Sequence, residues 1–155
     1  MNKKIIKRFL FAVILLIVGY IVFFEVQTYL GKQALEATGL KSTELSEAIK
    51  QARESDKYIL ADMSAIWCPT CRKLDKKIFS DEKVKKTISE HYIFTRIEYE
   101  TKQGKVFMKK HDIKGFPTLL ILDKNETKIL QLPLTFDPEL FIDYLEDFVE
   151  MKSLR

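Results

Sequence analysis

A run of sixteen uncharged residues, 9–24, behind a basic start of Lys3, Lys4, Lys7 and Arg8, constrains this chain more than any other stretch. The run is mostly apolar, broken mainly by Gly19 and Tyr20, and an apolar patch of that size does not face water on a small soluble domain. A membrane span needs about 20 residues, which the run reaches by taking in residues 25–30 or by letting Lys7 and Arg8 snorkel. It is slightly long for the apolar region of a signal peptide, roughly 7 to 15 residues. No Ala-x-Ala cleavage site follows promptly, since the nearest small pair, Ala34 and Ala37, has the wrong spacing. The expectation is a retained N-terminal signal anchor, a transmembrane helix over residues 1–30, with a cleaved signal peptide and a buried core helix as alternatives. Basic residues ahead of the span put the N-terminus in the cytoplasm and the remainder outside it, in a compartment where disulfides persist.

The charge balance supports this division. The chain carries 26 Lys and Arg against 22 Asp and Glu, +4 overall. Four of the bases and one acid, Glu25, lie within the first 30 residues, so +3 belongs there and +1 to everything after. The basic excess is therefore a property of the anchor, and nucleic acid is not an expected partner. The remainder reads as a linker over residues 31–41 and one globular domain over residues 42–155.

Within that domain, Ser42 or Thr43 can cap a helix whose Leu45, Ala48, Ile49 and Ala52 fall at i, i+3, i+4 and i+7. Residues 58–63 form a short apolar run bounded by charge, as a buried strand does. A helical pattern follows from Cys68 through Leu74 to about Phe79, and Ser80 before Asp81 and Glu82 is an N-cap signal for another helix using Val84 and Ile88. Residues 91–98 alternate as a second strand would, residues 106–111 suit a short helix, and residues 119–122 are a strongly apolar third strand. A turn at residues 123–126 leads to a fourth strand at 128–132, antiparallel to the third. Asp137 and Pro138 cap and open a last helix. Strands alternating with helices, then a hairpin and a helix, predict an α/β fold in which a mixed sheet is flanked by helices on both faces.

The chemistry resides in Trp67-Cys68-Pro69-Thr70-Cys71. These are the only two cysteines, placed between a strand and a helix, where α/β sheets carry their sites. On a helix, residues i and i+3 have Cβ atoms roughly 5 to 6 Å apart, so a small adjustment bonds two sulfurs. The unpaired N–H groups of a first turn and the macrodipole favour negative charge at its start, which makes Cys68 the attacking sulfur and Cys71, one turn inside, the resolving one. Pro69 fits a first-turn position that needs no N–H.

Three features in order and spacing resemble the thioredoxin superfamily. Leu60-Ala61-Asp62 leading to Trp67-Cys68-Pro69-Thr70-Cys71 resembles its active-site strand and turn. Ile113-Lys114-Gly115-Phe116-Pro117-Thr118 resembles its cis-proline segment, and Asp62 stands where the family has a buried acid. The resemblance covers residues 42–151 and is nearest to the thioredoxin-like domains of bacterial membrane thiol:disulfide interchange proteins. It implies catalytic roles for Cys68, Cys71 and Asp62, with Asp62 taking the proton of Cys71. It also implies substrate-binding roles for Trp67, Pro69, Phe116 and Pro117, while Arg96 reads equally as a basic neighbour of that acid or as a solvated strand charge. No metal and no cofactor beyond the redox-active Cys68–Cys71 disulfide is expected. The implied partners are protein disulfide clients and a membrane or soluble redox partner that supplies or takes electrons. The implied location is the bacterial inner membrane, single-pass, with the C-terminal domain on the periplasmic side.

Two positions depart from the commonest family form: Pro-Thr separates the cysteines where cytoplasmic thioredoxins have Gly-Pro, and Ser64 stands where many carry tryptophan. The first departure leaves the direction of electron flow open. A reductase of extracytoplasmic disulfides is the expected activity, with a disulfide-forming oxidase of the same fold as the alternative. Further alternatives are a static disulfide and a non-catalytic anchored module for client binding or metal delivery. The only histidines, His91 and His111, are remote in sequence from the cysteines, which weakens a zinc site.

Overall fold

The computed structural model describes residues 3–55 and 57–154. Its longest element is the helix α1, Lys3–Thr38. Gly39, at φ +63°, ends it, in the left-handed conformation that glycine adopts at helix C-termini without a Cβ clash. Thr38 closes the last turn, its hydroxyl donating to the Leu35 carbonyl at 2.8 Å and accepting from the Leu40 N–H at 3.1 Å. Over Ile6–Thr38 the helix is long and apolar enough to cross a membrane. Most of the apolar side chains over residues 9–23 are exposed, Phe9 being 68% exposed and Leu16 74%. The spacer expected at residues 31–41 differs: the helix runs on to Thr38, and Gly31, Ala34 and Thr38 are buried against the domain.

The domain is built on β1 (Tyr58–Ser64), β2 (Tyr92–Glu98), β3 (Thr118–Leu122) and β4 (Lys128–Gln131), in the order β2-β1-β3-β4. β1 pairs parallel with β2 and antiparallel with β3, and β4 closes the edge antiparallel to β3. A sheet covered on both faces buries every position of its central strand, and in β1 only Tyr58 is not fully buried. Successive side chains still divide by face. Ile59, Ala61 and Met63 join Leu120 and Leu122 on one side, where α2 (Leu45–Ser55) and α5 (Lys102–Lys110) supply Ala48, Ala52 and Phe107. Leu60 joins Leu119 and Ile121 on the other, against α3 (Pro69–Leu74), α4 (Glu82–His91) and α6 (Pro138–Ser153). Phe79, Phe94, Phe141 and Phe148 fill that second layer, with Phe79 edge-on to Phe94 and to Phe141 at 5.1 and 6.2 Å.

Two helix starts differ from expectation. Asp81, not Ser80, caps α4, accepting from the N–H groups of Lys83 and Val84. The Ser80 hydroxyl donates instead to the Asp75 carbonyl at 2.8 Å, ending a π-helical turn at Asp75–Phe79 that continues α3. Before α2, Ser42 accepts the Arg96 N–H at 2.9 Å and the Thr43 N–H donates to the Phe94 carbonyl at 2.9 Å. Both residues thus tie the chain to β2 instead of capping the helix. Asp137 caps α6 as the sequence predicts.

Candidate active site

β1 runs out at Ser64, and the turn Ala65-Ile66-Trp67 is held from beneath by β2. The Tyr99 N–H donates to the Ser64 carbonyl at 2.8 Å, and the Ile66 N–H to a Glu98 carboxylate oxygen at 2.8 Å. The Cys68 N–H donates back to the Ala65 carbonyl at 2.9 Å. This closes the turn and leaves Cys68 as the N-cap of α3, in extended conformation at φ −77°, ψ 121°. Its sulfur occupies the capping position, accepting the Cys71 N–H at 3.5 Å. The sulfur thereby satisfies one of the amides that the first turn of the helix leaves without an intrahelical partner. Pro69 follows at the start of the helix, where no N–H is required.

Both cysteines are free thiols, Cys68 7% and Cys71 1% exposed. Across from them the Phe116–Pro117 peptide bond is cis. The Cys68 thiol lies 3.9 Å from the Phe116 carbonyl oxygen as a sulfur donor, so the proline segment and the cysteine turn meet at the reactive atom. Trp67 stands edge-on to Phe116 at 5.5 Å, and Tyr99 packs on the same ring at 5.2 Å. The Trp67 indole N–H donates to Glu100 at 2.8 Å. Trp67, Pro69, Phe116 and Pro117 are thus gathered around Cys68 by two loops and a helix start.

Beneath the cysteines lies a buried charge cluster. Asp62 on β1 and Arg96 on β2 are register partners, and Asp62 is fully buried. One Arg96 nitrogen sits 2.6 Å from Asp75 and 3.4 Å from Asp62, while the other donates to the Ser64 hydroxyl at 2.7 Å. Neither Asp62 oxygen has a hydrogen-bond partner among the described residues. Burial consequently dominates its ionisation: despite Arg96, the carboxyl is pushed up to about 7, with Asp75 and Glu98 adding repulsion. Asp75 is also raised by burial, against the charge and hydrogen bond of Arg96. Burial pushes the Cys71 thiol up to about 12, aided by the charge of Asp62 and opposed by hydrogen bonds from Ser64 and the Ala65 backbone.

Two participants were not legible in the sequence. Asp75 sits four residues after Cys71, on the same helical face, but among Lys73, Lys76 and Lys77 it reads as part of a wet surface. Glu98 ends β2 and in sequence is no more than a strand residue, whereas it anchors the Ile66 amide. Arg96, equally a solvated strand charge or a neighbour of the acid by sequence, is the latter. α1 also reaches the site. Phe24 packs on Trp67 at 5.8 Å, Gln27 accepts from Arg72 at 2.8 Å, and a Cβ on Gly31 would collide with the Ile66 carbonyl oxygen.

Known proteins share this framework. The chain is 28% identical over 129 residues to the thiol:disulfide interchange protein DsbD of Escherichia coli, covering 81% of this chain and 22% of that one. It is 25% identical over 112 residues to UBX domain-containing protein 2 of Schizosaccharomyces pombe, covering 72% and 26%. The chain thus spans about a quarter of the length of these relatives. A thioredoxin from Thermus thermophilus superposes with a TM-score of 0.62 at 18% identity, covering 71% of this chain and 87% of its own. The family model for the thioredoxin-like domain matches residues 45–149, and on that match, with the strand, cysteine turn and proline segment in their places, the chain belongs to the thioredoxin-like family.

Proposed function

We propose that this protein is a membrane-anchored thiol–disulfide oxidoreductase that reduces disulfides of extracytoplasmic proteins. The observation that carries the reading is the Cys68 sulfur, capped by the Cys71 amide and facing the Phe116 carbonyl next to cis-Pro117. A client segment lying along that proline segment presents its disulfide to Cys68. The Cys68 thiolate attacks one client sulfur, a Cys68–client bond forms, the client S–S bond breaks, and the departing thiolate takes up a proton. Cys71 then attacks the Cys68 sulfur, the client's second thiol leaves, and the protein ends oxidised by two electrons as the client is reduced.

The second step needs a base, because the Cys71 thiol is held at about 12. Asp62, at about 7, is near enough to act on it electrostatically and titrates in the working range. Asp62 takes the Cys71 proton as Cys71 attacks Cys68, so that loss of the proton accompanies formation of the Cys68–Cys71 bond. α1 crosses the bilayer with the basic residues on the cytoplasmic side. The oxidised Cys68–Cys71 pair returns to the dithiol by exchange with a membrane or soluble dithiol donor, which is oxidised in turn.

Cys71→Ser tests the exchange. The variant should accumulate clients covalently bound to Cys68, and the Cys68→Ser, Cys71→Ser double variant should not; equal capture by both would end the proposal. Equilibration with glutathione fixes the direction. A potential near −270 mV, roughly that of thioredoxin, supports a reductase, and one near −120 mV, roughly that of a strong oxidase, refutes it.

A further inference from the structure

The contacts between α1 and the domain have an order. Going up the helix from the apolar run, Phe24 meets Trp67, Gln27 meets Arg72, Gly31 meets Ile66, and the Thr38 carbonyl accepts from Lys85 of α4 at 3.0 Å. Phe24, Gln27, Gly31, Ala34 and Thr38 form one stripe at helical spacing, half-buried at its lower end and buried from Gly31 upward. Of these contacts the cysteine turn and the first turns of α3 make the lower three, and α4 touches the helix about 21 Å above Phe24, at about 1.5 Å per residue. The redox end of the domain therefore points down the helix toward the apolar run.

The height of the site follows. Residues 9–24 cover about 24 Å of helix at about 1.5 Å per residue, short of a hydrocarbon core of about 30 Å. With Lys7 and Arg8 reaching back to the inner face, the outer edge of the core falls between Phe24 and Thr28, a stretch of about 6 Å. Trp67 packs on that ring and Phe116 packs on Trp67. A tryptophan with an apolar body and a hydrogen-bonded N–H, here on Glu100, has the chemistry of a membrane-interface anchor.

We propose that Phe24, Trp67 and Phe116 form a rim seated in the headgroup layer of the bilayer that α1 crosses, so that Cys68 works at the lipid surface. The occupant of this apolar rim is the outer leaflet itself, because the rim is continuous with the lipid-facing surface of α1. Exchange partners must then bring their sulfur to the headgroups. This inference rests on the reading of α1 as a span.

Trp67 is the only tryptophan of the chain, so its fluorescence reports on the rim directly. The full-length protein is reconstituted in phosphatidylcholine vesicles, washed with alkaline carbonate, and compared in lipids with and without bromine near the top of the acyl chains. The expected result is retention on the vesicles, loss of at least half the Trp67 emission in brominated lipid, and protection from aqueous iodide. Retention with unchanged emission in brominated lipid and full iodide quenching would overturn the rim, while covalent trapping by the Cys71→Ser variant would still stand. Release by carbonate would remove the span and the proposal with it.

Discussion

Asp62 offers the sharpest test of how burial and charge divide the control of this site. Its carboxyl titrates at about 7 in the folded protein against 3.8 in an unpaired one, so the folded state binds a proton more tightly than the unfolded state. Stability from this group is fully present below about pH 4 and is lost as pH rises toward 7. About three pH units at about 1.4 kcal/mol each amount to about 4 kcal/mol, reached near pH 7 and level beyond it. Asp62→Asn removes the titration. The buried amide introduces its own cost of about 1 to 3 kcal/mol for polar atoms left without partners, but that offset does not depend on pH. Urea denaturation of the reduced full-length protein in detergent, followed by circular dichroism from pH 4.5 to 8.5, should show the variant gaining on the native protein by most of about 4 kcal/mol over that range. Groups that do not interact with Asp62 cancel in the difference. A flat difference, or one in which the native protein gains with rising pH, would mean that the Arg96 contact at 3.4 Å balances or outweighs burial, and would remove Asp62 as the base near neutrality.

Arg96→Met leaves two buried acids without their cation and should destabilise the fold by about 3 to 5 kcal/mol above pH 7. The loss should shrink toward pH 5 as the acids take up protons, which the same denaturation series reads. Gly31→Val places side-chain carbon where the Ile66 carbonyl lies, so α1 must move off the cysteine turn at about 1 to 3 kcal/mol. A shift in Trp67 emission with the Cys71→Ser trap retained is the expected signature, and an unchanged spectrum would refute the close approach. Phe141→Ala, in the packed aromatic layer and outside the cluster that holds the sulfurs, should cost about 3 to 5 kcal/mol in denaturation while leaving the glutathione equilibrium unchanged.

The strands and the cysteine turn were readable because their signals are local. An apolar run bounded by charge, a proline after the first cysteine and an aspartate before Pro138 each act within a few residues. What escaped depends on partners distant in sequence. Ser80 is as good a cap as Asp81 in isolation, and loses the role because its hydroxyl is engaged by the π-helical turn. Asp75 is hidden by lysines that do face water. Gly31 and Ala34 resemble the small residues of a spacer, but their smallness allows a helix to approach a loop backbone, which only the assembled fold reveals.

The pairing of Asp62 with Arg96 across β1 and β2 also guards how the two strands align. Sliding β2 by one residue would set Thr95 or Ile97 opposite Asp62 and turn the guanidinium toward Ala61 and Met63, among apolar side chains. Both charges would then be stranded in the interior, each at several kcal/mol. Misaligned sheets are thus rejected by the same residues that lie under the thiols, and a chain that has folded with this pair intact has its cysteine turn at the correct strand end.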